Sequence, residues 1–345
     1  SVVLAAALVG FVDPIVRLIS TPEEAVAGTT AYLTICFIGI PCITAYNVLA
    51  SIFRGMGDSR SPMYFIAAAC VVNIGLDFFF MGALRLGPAG AALGTTLSQA
   101  VSVLLALCVI LKRKSIRLSK SDFCPRKATM KDILSIGLPV AAQDGFIQVS
   151  FMLITIMANQ RGLTDAAAVG IVEKIISFLF LVPSSMLSTV SALGAQNIGA
   201  GKYDRVDDIL RYAIAIGVGF GAVMALLMQF IAPSVVRPFT SDEAVVLAGA
   251  AYIRSYIFDC LFAGIQFSFS GYFCAWGRSG LSFLHNTLSI LLVRVPGAWL
   301  ACRFFPQTLV PMGLAPACGS LFSSIVCVLL YRWMKRQNKP TGDKD

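Results

Sequence analysis

Long apolar runs, separated by short polar or charged segments, dominate the chain. Ten of them lie near residues 1–20, 28–53, 63–84, 89–111, 132–160, 166–195, 209–233, 246–274, 281–302 and 309–333. Each is long enough to cross a bilayer as a helix, which takes about 20 apolar residues. None has the period-two alternation of a transmembrane strand. The pattern therefore predicts an all-α polytopic membrane protein with ten transmembrane helices.

Composition supports this fold class. Of 345 residues, 57% are hydrophobic and only 13% are charged, whereas about a quarter of an average soluble chain is charged. The mean hydropathy is +0.80. A soluble enzyme, a disordered chain and a coiled coil are excluded. The chain has one histidine and ten scattered cysteines. It has no nucleotide-binding loop, catalytic serine motif or metal-ligand spacing. We therefore expect neither an enzyme nor a cofactor, and no metal beyond a coupling sodium ion.

The net charge of +9 is unevenly distributed. The segment from Lys112 to Lys131 holds eight basic residues and one acid, Asp122, whereas the odd-numbered connections, such as 22–24 and 240–243, are short or acidic. Because cytoplasmic loops of membrane proteins are enriched in lysine and arginine, the even-numbered connections and the C-terminus are predicted to be cytoplasmic. The predicted location is the cell (inner or plasma) membrane. The positive charge is assigned to this face and not to nucleic acid.

The sequence contains a weak internal repeat. Ala31-Tyr32-Leu33 recurs 220 residues later as Ala251-Tyr252-Ile253, and Phe53, Gly57 and Ser59 recur at the same offset. Six predicted spans separate equivalent positions, so both copies have the same orientation, as in a parallel repeat about an axis along the membrane normal.

The repeat predicts a domain organisation. It consists of a four-helix, incomplete N-lobe at 1–114, a basic cytoplasmic linker at 115–130, a six-helix C-lobe at 131–337 and a cytoplasmic tail at 338–345. Because residues 131–219 have no counterpart in the first copy, we expect a 6+6 architecture lacking its first two helices. A natural ten-helix variant is the alternative.

Five short motifs then follow one another along the chain. They are FRGMGDSRSP at 53–62, NIGLD at 73–77, GAALGTTLSQ at 90–99, GLP at 137–139 and AQNIGAGK at 195–202. In sequence and order they resemble motifs of the multidrug and toxic compound extrusion (MATE) transporters. The resemblance implies a twelve-helix, two-lobe antiporter whose lobes rock around a central cleft. The chain departs from the family in having no position for the aspartate that the family's first helix often supplies.

The first candidate site is an acid within the third apolar run. Asn73 and Asp77 are four residues apart, hence on one helix face. Asp77 and Thr95 are equally far from the turn at Leu86, so they are predicted to lie at similar depth. Such oxygen-bearing groups can hold a proton or a sodium ion. Burial raises the pKa of an aspartate and a bound cation lowers it, so protonation and cation occupancy compete.

The resemblance carries the family's first-lobe cation site onto Asn73, Asp77 and Thr95, with the Ala91 carbonyl as a further ligand. The alternative is a hydrogen bond that only joins two helices.

Other ionisable or polar residues inside the spans are candidates for contact with substrate, since charges in a membrane are costly and commonly functional. The substrate-cleft candidates are Asp144, Gln148, Glu173, Ser177, Asp259 and Gln266. A structural charge network, including an Asp259–Arg294 pair, is the alternative for several of them. His285 is predicted to be a solvated residue near the cytoplasmic turn.

Together these features predict an ion-coupled antiporter that exports amphipathic, cationic drugs or metabolites by alternating access. Its partners are a small-molecule substrate and membrane lipid, and it is expected to be a monomer. Lys174, Arg254 and Arg294 keep open a lipid-linked precursor flippase of a related fold. A non-functional truncated remnant is the other alternative. The sequence does not distinguish proton coupling from sodium coupling.

Overall fold

A computed structural model describes residues 1–18, 23–112 and 126–337, and these residues form helices joined by short connections, without strands. The helices are α1 (Val2–Gly10), α2 (Val12–Leu18), α3 (Glu23–Gly55), α4 (Arg60–Asp77), α5 (Pro88–Lys112), α6 (Lys127–Asn159), α7 (Leu163–Leu179), α8 (Leu181–Gly199), α9 (Tyr203–Val236), α10 (Glu243–Tyr256), α11 (Phe258–Ala275), α12 (Ser279–Ser289), α13 (Val295–Phe304) and α14 (Val310–Gln337). Most of the predicted linker and the predicted tail lie outside the described residues.

Nine helical stretches in the described part of the chain are long and apolar enough to cross a membrane. They coincide with the second to the tenth apolar runs. The first run instead forms two short helices, α1 and α2, separated at Phe11. The break follows from Pro14, which has no N–H group and whose ring would clash with the carbonyl of Gly10 in a continuous helix. Proline is tolerated in the first turn of a helix, and Pro14 lies in the first turn of α2.

The chain divides into two compact units, Ser1–Cys124 and Pro125–Asp345. In the first unit, α5 packs against both α3 and α4. The core of this unit contains Tyr46, Phe53 and Phe65. The rings of Phe53 and Phe65 meet edge to face with centroids 5.5 Å apart.

The turn between α3 and α4 comes from the first of the five motifs. Gly57 has a φ of 87°, which glycine adopts without strain. The Asp58 carboxylate accepts hydrogen bonds from the backbone N–H of Ser61 at 3.0 Å and from its hydroxyl at 2.7 Å. Because these bonds satisfy an otherwise unpaired donor at the start of α4, the motif forms a capped tight turn, as its residues predict.

In the second unit, α11 packs against α8, α9 and α14. Small residues allow α9 and α11 to approach at backbone distance, as is common between membrane helices. A Cβ atom added to Gly221 would lie 2.5 Å from the Cα of Leu261, and one added to Gly217 would lie 2.8 Å from the Cα of Gly264. The glycines are therefore required by the spacing of these two helices.

Arg161 connects two turns of the second unit. Its Nε donates to the Asp165 carboxylate at 2.7 Å, and its Nη atoms donate to the carbonyls of Phe305, Pro306 and Thr308 at 3.0 to 3.1 Å. Only 6% of the side chain is exposed. One guanidinium thus joins the α6–α7 turn to the connection between α13 and α14.

Two helices contain π-helical segments, in which hydrogen bonds link residues five apart. Phe78–Ala83 continues α4 directly after Asp77, and Ile290–Arg294 joins α12 to α13. The two helices begin at equivalent positions of the repeat, after Ser59 and at Ser279. Single π turns inside α-helices are frequent at functional sites, and here each one adjoins an ionisable residue within an apolar span.

Candidate functional site

The acid of the first unit is Asp77, the last residue of α4. The side-chain amide of Asn73 donates to Asp77 Oδ1 at 3.5 Å, and both side chains are half-buried. The two residues therefore meet as their spacing predicts. An amide can donate to a carboxylate and, after turning over, accept from a carboxylic acid, so Asn73 can serve both charge states of Asp77.

The facing residue on α5 is Gly94. A Cβ atom at this position would overlap Asp77 Oδ1 and would lie 3.5 Å from the Asn73 amide nitrogen. The carboxylate thus occupies space that only a glycine leaves free. No role for Gly94 was predicted from the sequence, although it lies inside the GAALGTTLSQ motif next to Thr95.

Thr95 does not join this group. Its side chain is exposed, and no hydrogen bond links it to Asp77 in the part of the chain that the structure describes. Successive residues of an α-helix point about 100° apart, so Thr95 points away when Gly94 faces Asp77. The next residue, Thr96, donates to the carbonyl of Ile35 on α3 at 3.4 Å. A ligand role for the half-buried Ala91 stays a prediction.

The second unit holds a separate acid, Glu173 on α7. It is half-buried, and the Thr155 hydroxyl, which donates to the Phe151 carbonyl at 3.0 Å, lies 3.3 and 3.5 Å from the two carboxylate oxygens of Glu173. Ser177 is exposed, and its hydroxyl donates to the backbone carbonyl of Glu173 at 2.8 Å. Ser177 thus follows Glu173 in sequence without bonding to its carboxylate.

Arg294, at the end of the second π-helical segment, is a buried cation of this unit. It donates from Nη2 to the Tyr256 hydroxyl at 3.0 Å, and its guanidinium lies 4.7 Å from the centre of the Phe151 ring. These partners keep a permanently charged group inside an apolar bundle.

Asp259 on α11 is fully buried, and neither of its carboxylate oxygens has a hydrogen-bond partner among the described residues. The predicted ion pair with Arg294 is not formed, because that guanidinium is directed to Tyr256 and Phe151. The Arg294 Nε and the Tyr252 hydroxyl are also buried without partners in the described part of the chain. Since unpaired buried polar groups are costly, this cluster is a place where a proton, a small ion or water would be stabilised.

The remaining cleft candidates lie elsewhere in the unit. Asp144 and Gln148 are exposed on α6, while their neighbour Gln143 is buried and accepts a hydrogen bond from Ser282 at 2.7 Å. Gln266 donates to the Ser320 hydroxyl at 3.1 Å, between α11 and α14. Among the described hydrogen bonds, none joins Asp144, Gln148 or Gln266 to Glu173.

His285 is not the solvated residue that its sequence position suggests. It is 1% exposed, and its two ring nitrogens lie 2.9 Å from the Ser270 hydroxyl and 2.7 Å from the Ser323 hydroxyl. The reason is that α12 packs against both α11 and α14. Serines inside otherwise apolar spans were the available signal, because a buried imidazole needs such partners.

Comparison with known proteins gives consistent results. The MatE family model matches residues 1–79 and 139–300. The probable multidrug resistance protein YpnP of Bacillus subtilis (strain 168) is 30% identical over 322 residues, which are 92% of this chain and 71% of YpnP. The multidrug export protein MepA of Staphylococcus aureus (strain N315) is 26% identical over 274 residues, which are 78% of this chain and 59% of MepA.

Solved structures share the fold. An outward-facing multidrug resistance MATE family transporter of the MOP superfamily superposes with a TM-score of 0.91 at 21% identity, over 97% of this chain and 76% of that chain. A MOP superfamily transporter from Pyrococcus furiosus superposes with a TM-score of 0.87 at 20% identity, over 97% of this chain and 75% of that one. At such identities the superpositions show the all-α fold alone.

Proposed function

The chain belongs to the MATE family, as the match of the family model and the identity to YpnP show, and on this premise we propose that it exports drug-like organic compounds in exchange for a proton or a sodium ion. As a member of this family it is a multi-pass membrane transporter and not an enzyme. The names of YpnP and MepA, a multidrug resistance protein and a multidrug export protein, support drugs as its cargo.

The observation that carries the coupling proposal is the position of Asp77. Its carboxylate lies within an apolar helix, bonded by Asn73 and pressed against Gly94. A carboxylate in an apolar span is stabilised when a positive ion neutralises it. Binding and release of the ion at Asp77 therefore change the free energy of the state in which the site is closed. We propose that the competition between protonation and cation binding at this carboxylate drives export, with Asp77 as the coupling acid and Asn73 as its positioning residue.

The second unit is proposed to contact the cargo. When both acids are ionised, Glu173 and Asp259 carry two negative charges and Arg294 one positive charge, so the cluster then has a formal charge of minus one. Tyr252, Tyr256 and Phe151 surround it with aromatic rings. Negative charge combined with aromatic faces suits an amphipathic organic cation. Glu173 is the half-buried member, so we propose that it meets the cationic group of the cargo.

The flippase alternative has less support from this geometry. Recognition of a lipid-linked pyrophosphate requires several cations directed at one open cavity. Arg294 is buried, and its guanidinium is engaged by Tyr256 and Phe151. It is therefore not available to a large anionic headgroup in this structure.

The test is transport by the whole chain in proteoliposomes, with an imposed pH gradient or an imposed sodium gradient and ethidium as a fluorescent cation. We expect Asp77→Asn to abolish gradient-driven ethidium transport with little change in the temperature of unfolding. Asp208→Asn is the matched control, because Asp208 is an exposed acid near the start of α9. Transport by Asp77→Asn at the unaltered rate would show that Asp77 is not the coupling acid.

A further inference from the structure

An open groove lies along one face of α6, near the start of the second unit. It has a volume of about 490 Å³ and is lined by Lys127, Met130, Lys131, Leu134, Ser135 and Leu138. The spacing of these residues places them on a single helix face. We call this surface the α6 groove. It combines two lysines at one end with large apolar side chains at the other.

The apolar part of the α6 groove is uncovered. Leu138 is 67% exposed, and Met130 and Leu134 are about half exposed. On one side α12 fixes the position of α6, because the Ser279 hydroxyl donates to the carbonyl of Ser135 at 3.1 Å. The groove is thus held by a defined helix contact, while its apolar surface has no protein partner within the described residues.

Within the described part of the chain, the lysines of the α6 groove are not neutralised. Among the described residues, no carboxylate lies within ion-pair distance of Lys127 or Lys131, whereas Lys335 of the same unit pairs with Asp207. Two unpaired ammonium groups one helical turn apart suit a phosphate group, which carries the complementary charge.

The length of α6 indicates the depth of these groups. The helix has 33 residues, which corresponds to about 50 Å and exceeds the ~30 Å hydrocarbon core. Its continuous apolar part begins near Ile133. Lys127 and Lys131 therefore extend roughly 5–10 Å beyond Leu134, which places them at headgroup level. The positive charge of the preceding connection predicts that this end is cytoplasmic.

We propose that the α6 groove binds one anionic phospholipid of the cytoplasmic leaflet, with the phosphate between Lys127 and Lys131 and an acyl chain along Leu134 and Leu138. The proposal does not depend on the export function, because lipid binding is measured without transport.

The test is native mass spectrometry of the purified full chain in detergent, titrated with phosphatidylglycerol or with phosphatidylcholine of the same acyl chains. We expect one phosphatidylglycerol to bind in preference to phosphatidylcholine. The double variant K127Q/K131Q should weaken phosphatidylglycerol binding about thirtyfold, since each basic residue near a membrane surface contributes about a factor of five. Leu138→Gln should weaken both lipids.

The matched control is R332Q/R336Q. Arg332 and Arg336 are also exposed and one turn apart, at the end of α14, but they are not among the residues that line the α6 groove. Unchanged phosphatidylglycerol binding by K127Q/K131Q, or an equal loss in R332Q/R336Q, overturns the proposal. Glycerol 3-phosphate, added as a competitor, distinguishes a lipid from a free phosphate. If it displaces phosphatidylglycerol at equal concentration, the lipid assignment is overturned. Because all substituted side chains are exposed, unfolding temperatures should not change.

Discussion

Replacing Gly94 by alanine tests the coupling site while leaving every polar group in place. The added Cβ atom overlaps Asp77 Oδ1, so the carboxylate must rotate away from Asn73. Overpacking of this kind costs about 1–3 kcal/mol, and the lost hydrogen bond contributes about 0.5–1.5 kcal/mol of that change. The perturbation is therefore a displacement of the acid and not its removal.

The matched control is Gly75→Ala in α4. A Cβ atom at Gly75 meets no atom within 4 Å, so this variant only gains helix propensity, which is worth about 1 kcal/mol. Gly94→Ala has the same backbone gain together with the collision. We therefore expect Gly94→Ala to be less stable than Gly75→Ala by about 1–3 kcal/mol, measured by thermal or denaturant unfolding in detergent.

Transport provides the decisive measurement. A loss of about 1.4 kcal/mol at the ion site corresponds to about tenfold weaker ion binding. In proteoliposomes, Gly94→Ala should raise the half-saturating concentration of the coupling ion by about tenfold, while Gly75→Ala leaves it unchanged. Equal half-saturating concentrations in the two variants would refute the assignment of Asp77, because its carboxylate would then be irrelevant to ion binding.

Three further predictions concern the second unit. Gly221→Ala should lower the free energy of unfolding by about 1–3 kcal/mol, because its Cβ meets the backbone of Leu261; an equal loss in the exposed control Gly219→Ala would contradict this. Arg161→Lys should lower the thermal unfolding temperature, with a loss of about 1–3 kcal/mol, since one ammonium cannot replace a guanidinium bonded to three carbonyls and a carboxylate. His285→Phe puts a larger, apolar ring in place of the imidazole and removes the partner of two buried serine hydroxyls, so the unfolding free energy should fall by about 1–3 kcal/mol; an unaltered denaturant midpoint would show that these bonds add no stability.

Hydrophobic pattern was sufficient to predict most of the fold. The second to tenth apolar runs are helices because each is long, apolar and bounded by turn residues. The break at Phe11 was missed, although Pro14 signalled it. An apolar run is recognised from hydropathy averaged over about 20 residues. One proline that interrupts a helical turn does not change this average, so the run looks continuous.

The candidate site was predicted only in part. The contact between Asn73 and Asp77 follows from helix spacing, which is local. The residue of α5 that faces Asp77 does not follow from spacing. Counting residues from a turn gives the depth of a side chain but not the direction in which it points. The structure places Gly94 there and turns Thr95 away. His285 was misjudged for a related reason, since burial depends on which helices pack together and sequence position does not reveal it.

The π-helical turn that ends at Arg294 amounts to one surplus amino acid in an otherwise regular cylinder. Deleting a single residue there, for example the exposed Leu291, would convert the segment to a regular α-helix and rotate the Arg294 side chain by about 100° around the helix axis. A charge now enclosed against Tyr256 and Phe151 would then take the half-buried position that Val293 holds. At this point in the chain, the loss of one codon separates a cation from its aromatic partners.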